Sequence, residues 1–136
     1  MQELSVIAPS LLAKLCIALD GRDYDALAAC FAPAGTWTRQ GKTLRGREEI
    51  RKTLADTRPA TLSTIHIVTN TSIDAQSERA ATGRFYLTVY RHDGSSEPPY
   101  PVPAPSVVGL CKVEFVYMGD EWLLQHLQTG PYVFSN

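Results

Sequence analysis

Apolar positions recur every three or four residues through the first third of the chain, then at every second residue after about position 61. Leu4, Ile7, Leu11, Leu12, Leu15, Cys16 and Leu19 form one stripe, which predicts an amphipathic helix over residues 4–20. Pro9 falls within that stripe and suits a first helical turn, which makes it an alternative start. Gly21-Arg22 breaks the pattern. Asp23 then caps a short second helix with Tyr24, Leu27, Ala28 and Phe31 on its buried side. Pro33-Ala34-Gly35 reads as a turn, followed by extended Thr36–Arg39 and a return through Lys42–Leu44 after Gly41. A third helix is expected from Arg47 to about Asp56, preceded by Gly46 and closed by Arg58-Pro59. Glu48 and Glu49 lie in its first turn, where the helix dipole favours acids.

The period-2 region predicts strands at 61–74, 79–92, 106–118 and 121–130. Residues 75–78 and 118–120 are short enough to make antiparallel hairpins. Asp93–Pro105 holds five of the nine prolines, so it is stiff and poor in backbone donors. It is expected as a surface loop, lid or edge cover. Helices first and long antiparallel strands afterwards is an α+β pattern, with one curved antiparallel sheet wrapped over N-terminal helices as a single domain over residues 1–136. Such a sheet, closed on one side by helices, leaves an apolar cavity at its open end.

Composition narrows the chemistry. The 136 residues carry 13 basic and 14 acidic side chains, a net charge of −1, with no long run of either sign. Neither nucleic acid nor an anionic membrane surface is therefore an expected partner. Cys16, Cys30 and Cys111 are odd in number, widely spaced and set among apolar residues, which reads as buried thiols in a reducing compartment. Glu3 and Lys14 interrupt what would otherwise resemble a leader, and no apolar run approaches the ~18–20 residues that cross a bilayer. A cytoplasmic protein is expected. Phosphate-loop, dinucleotide, zinc-protease and nucleophile-elbow patterns are absent, and no cofactor is expected.

Thr64-Ile65-His66-Ile67-Val68-Thr69-Asn70 carries the strongest chemical signal. Alternation puts Thr64, His66, Val68 and Asn70 on one face of a strand. An imidazole in such a setting is either a general acid/base or a core group satisfied by a backbone carbonyl or by Asn70. Asp20 either orients an imidazole, acts as a base itself, or makes local turn bonds. Arg91, facing inward, would hold a carboxylate, phenolate or enolate; facing outward it would guard a sheet edge. Tyr24, Trp37 and Phe85 read chiefly as core, with Trp37 the first choice to wall a cavity. His126, grouped with Trp122, Leu124 and Gln128, reads as packing or a subunit contact, and no ligand spacing supports a metal site.

The landmarks Leu19–Leu27, Cys30-Phe31-Ala32-Pro33, Gly46–Ile50 and Thr64–Asn70 resemble the SnoaL-like group of the nuclear transport factor 2-like superfamily, and within it scytalone-dehydratase-like members. The resemblance implies a cone-shaped α+β barrel and a homodimer. It also implies that Asp20 and His66 stand at a pocket aspartate and a pocket histidine. Leu19 replaces a tyrosine of that pattern, and Arg91 replaces its second histidine, with His92 one step along. The expected activity is a cofactor-free lyase or isomerase, of dehydratase or cyclase type, moving a proton beside the carbonyl of an aromatic or polyketide-like substrate. Asp20 and His66 are the expected catalytic pair, with Trp37, Asn70, Arg91, Tyr24 and Phe85 around a hydrophobic or aromatic ligand. The alternative is a non-catalytic ligand-binding or accessory dimer.

Overall fold

A computed structural model describes residues 3–136. The order of elements is α1 (Leu4–Asp20), α2 (Tyr24–Ala29), β1 (Phe31–Arg39), β2 (Lys42–Arg45), α3 (Arg47–Thr57), β3 (Leu62–Ala75), β4 (Ala80–Asp93), β5 (Val107–Met118), β6 (Glu121–Thr129) and β7 (Phe134–Ser135). The fold is the expected α+β arrangement, a curved and unclosed sheet over N-terminal helices. Strands lie in the order β2-β1-β6-β5-β4-β3, with β7 added beside β5. The four long strands β3 to β6 pair antiparallel in sequence, as the two-residue period predicts. No described helix is long and apolar enough to cross a membrane.

Helix α1 begins at Leu4 and runs through Pro9 rather than starting there. The Glu3 carbonyl closes its first turn by accepting from the Val6 and Ile7 amides, 3.1 Å each. Pro9 is the sixth helical residue and removes the bond an amide would give to the Ser5 carbonyl, but both residues are exposed, so water can reach that carbonyl. Ala8, Leu11, Leu12, Leu15, Ala18 and Leu19 are the buried stripe. Helix α2 is capped as expected, with the Asp23 carboxylate accepting from the Ala26 amide at 3.1 Å. It ends at Ala29, so Phe31 is not its last buried residue. Phe31 instead opens β1, fully buried.

Two departures from simple alternation share one cause, the insertion of residues into a ladder. Pro33-Ala34-Gly35 is no turn; it lies within β1, where the pairing with β6 jumps between Phe31 and Thr36. That β1–β6 pairing is parallel, so the sheet is mixed rather than wholly antiparallel. In β6 the register against β5 shifts at Gln125, so Leu124 and Leu127 both point inward. His126 consequently leaves the face of Trp122 and Leu124. It accepts or shares a proton with Thr36 Oγ1 at 2.6 Å on the other side.

The C-terminal segment folds back across the sheet. The Val133 amide donates to the Val108 carbonyl at 3.0 Å and the Asn136 amide to the Ser106 carbonyl at 2.9 Å. Tyr132 lies against Gly109 so closely that a Cβ there would meet its Cδ1 at 2.9 Å. Glycine is what lets the ring sit down on β5.

All three cysteines are buried and free. Burial, helped by the nearby Asp20 charge, pushes the Cys16 thiol up to about 12, and burial pushes Cys111 up to about 11. Below pH 9 folded and unfolded chains both keep these protons. Above it the unfolded thiols ionise first, so this contribution to stability is lost as pH climbs through the folded values. We expect negligible thiol alkylation of the native protein at pH 8, prompt alkylation in urea, and a urea midpoint that falls between pH 9 and 11. Fast native labelling at pH 8 would contradict the burial.

Candidate active site

Asp20 is the last residue of α1, and its carboxylate reaches across to β3. It accepts three hydrogen bonds there: from Thr64 Oγ1 at 2.8 Å, from the His66 amide at 2.8 Å, and from His66 Nδ1 at 2.6 Å. Both side chains are largely covered, 12% exposed for Asp20 and 14% for His66. An ionised carboxylate only accepts, so Nδ1 is the donor, and in the neutral ring Nε2 then keeps a lone pair. Thr64 in turn accepts from Arg58 Nη2 at 2.9 Å, which ties the end of α3 into the same network.

His66 faces a cavity of about 50 Å³. Leu15, Cys16 and Leu19 of α1 form one wall and Phe85 and Leu87 of β4 another. Trp37, Arg39, Gln40, Leu127, Thr129 and Tyr132 complete it. Trp37 is 4% exposed, and its Nε1 donates to Thr129 Oγ1 at 2.9 Å. Because Nδ1 is committed to Asp20, Nε2 is the ring nitrogen available to a guest. A neutral imidazole held in one tautomer by a carboxylate is arranged to take a proton and then share the resulting positive charge with that carboxylate.

Of the residues expected from sequence, Asp20, His66, Trp37 and Phe85 converge here. Asn70 does not line this cavity. It takes a left-handed conformation, φ 57°, at a register shift in β3, and its side chain is exposed. Arg91 pairs with Thr64 across the ladder but is exposed near the end of β4, where it lines a separate groove with Tyr100 and Pro101. His92 stacks on Tyr100 in that region, centroids 4.0 Å apart. Tyr24 packs against the core from α2, its hydroxyl buried with no partner among the described residues.

Arg39 was not anticipated. It shares the inward face of β1 with Trp37, two residues back, and its guanidinium stands 4.9 Å from the Trp37 ring. Burial lowers its pKa from the ordinary arginine value. The i, i+2 relation to Trp37 was the available signal, since any residue two positions from a cavity-lining tryptophan in a strand shares its face.

The model of the SnoaL-like domain family matches residues 9–128. Among solved structures, ActVI-ORFA from Streptomyces coelicolor superposes with a TM-score of 0.82 at 21% identity, covering 96% of this chain and 97% of that one. A candidate scytalone dehydratase from Novosphingobium aromaticivorans gives 0.72 at 20% identity, covering 89% and 78%. A protein from Catenulispora acidiphila in complex with S-DNPA gives 0.73 at 19% identity, covering 93% and 94%. Likeness at these identities speaks for the fold. No curated protein matches the sequence.

Asp20→Ala would strand a threonine hydroxyl, a backbone amide and a ring N–H at one partly buried point. We expect a loss of about 2–3 kcal/mol in urea unfolding, and a smaller loss for Asp20→Asn, which keeps an acceptor. An unchanged midpoint in Asp20→Ala would mean that the carboxylate does not hold α1 to β3.

Proposed function

This chain belongs to the SnoaL-like domain family, and we propose that it is a cofactor-free lyase or isomerase acting by proton transfer beside a carbonyl of an aromatic or polyketide-like substrate. The observation that carries the reading is the Asp20–His66 pair, with Nδ1 bonded at 2.6 Å and Nε2 left for an otherwise mainly apolar cavity. Nε2 takes a proton from the carbon next to the carbonyl. The C–H electrons move into an enolate, and the negative charge settles on oxygen. The imidazolium then returns its proton, either to a departing hydroxyl, which completes a dehydration, or to another carbon, which completes an isomerisation. Asp20 holds the ring and stabilises the charged intermediate state.

A cavity that takes a single benzene ring is about 150 Å³, so Gln40 and Tyr132, lining residues on its solvent side, have to give way on binding. That narrowness favours a second reading, a non-catalytic accessory protein in which the pair is structural. Turnover separates the two. Thermal-shift screening with aromatic ketones and polyphenols supplies a substrate. On it, His66→Gln is expected to lower kcat/KM by ~10²–10⁴-fold with the fold retained. Turnover unchanged in that variant would remove the proton-transfer reading.

A homodimer is proposed through the outer face of β3, β4 and β5. Ile65 is 56% exposed, Tyr86 49% and Leu110 40%, and Tyr86 pairs with Leu110 across the ladder. A two-fold contact would cover this patch. Sedimentation is expected to give a dimer for the native chain and a monomer for Tyr86→Glu. A monomeric native chain at tens of micromolar would rule the assembly out.

A further inference from the structure

The cavity holds a cation with nothing to neutralise it. Arg39 makes no ion pair and no side-chain hydrogen bond among the described residues, although it lies half-buried on the inner face of β1. A half-buried guanidinium gives up part of its hydration, which an opposite charge or a set of acceptors would replace. Asp20, the carboxylate that holds His66, forms no ion pair with Arg39 and gives its oxygens to Thr64 and His66. A second guanidinium adds to the imbalance. The positive charge of Arg58 acts on Arg39, and Arg58 Nε is itself buried without an acceptor among the described residues. The hydroxyl of Thr129, also on the lining, accepts from Trp37.

Around this positive centre the walls are flat or aliphatic. The indole of Trp37 lies beneath the guanidinium at 4.9 Å, and Phe85, Leu87 and Leu127 face it. A planar fork above an aromatic surface is suited to grip two oxygens while a ring packs on the apolar wall.

We infer that the cavity takes an aromatic compound bearing an anionic oxygen group of the carboxylate type, and that Arg39 is the residue that selects it. This rests on the proton-transfer reading only for the choice of cavity. Arg39 anchors the acid, and the anchor fixes which carbon of the guest is presented to His66 Nε2. The substrate class narrows to aromatic carbonyl compounds that are also acids.

The test uses two probes that differ in charge and hardly in shape, 2-hydroxybenzoate and 2-hydroxybenzamide, titrated calorimetrically into the native protein and three variants at fixed salt. The native protein is expected to favour the acid by about 10- to 100-fold, the range of a charge-assisted bidentate contact. Arg39→Gln should bind the two probes equally, and Arg39→Lys should keep part of the preference, which a merely structural cation over Trp37 would not produce. His66→Gln should keep all of it. Equal affinity for the two probes in the native protein, no binding of either at millimolar concentration, or a preference that survives in Arg39→Gln would overturn the assignment. A preference for the acid alongside unchanged turnover in His66→Gln would sustain it while removing the proton-transfer reading, so the two stand or fall separately.

Discussion

One carboxylate joins the two halves of this molecule. Asp20 ends the first helix and gives its oxygens to a hydroxyl, an amide and an imidazole on β3. The helix supplies much of the apolar core, and β3 is the last strand of an unclosed sheet. Without that junction the edge strand would keep its pairing with β4, its apolar contacts and the bonds from Arg22 to the Leu62 carbonyl and from Arg58 to Thr64. The same bonds that dock the strand also choose the tautomer of His66. Structure and chemistry therefore draw on one set of contacts, and a change at Asp20 reaches both.

Much of the architecture was legible because periodicity reports a local fact. The four long strands alternate apolar and polar residues, and each begins and ends within a residue or so of its predicted bounds. What escaped were features that depend on a partner strand. Pro33-Ala34-Gly35 looks like a turn, yet it is an unpaired bulge inside β1, enclosed by the pairing of Phe31 with Leu124 on one side and of Thr36–Arg39 with β6 and β2 on the other. The shift at Gln125 changes which residues of β6 face inward, and no feature of Leu123–Leu127 announces it. The short β7 rests on a return of the chain to β5 that no local pattern encodes.

The site divides along similar lines. His66 was visible as an imidazole in the middle of a strand, and Asp20 became a candidate with it through a family likeness. Distance alone joins them, since 46 residues separate them in the chain. Asn70 was misjudged by parity, because the register shift after Thr69 breaks the alternation that would have aligned it with His66. Arg39 was overlooked although Trp37, its neighbour on the same face, had already been singled out. Parity along a strand is dependable between irregularities and silent across them.

The tail that crosses β5 has a consequence for access. Tyr132 belongs to the cavity lining, and it is carried by a segment whose amides bond to Val108 and Ser106. Tyr132 is the one lining side chain carried by that strap, so moving it alone would open the chamber on that side. The closeness of this chamber is therefore written in the last strand pairings of the chain as much as in its first helix.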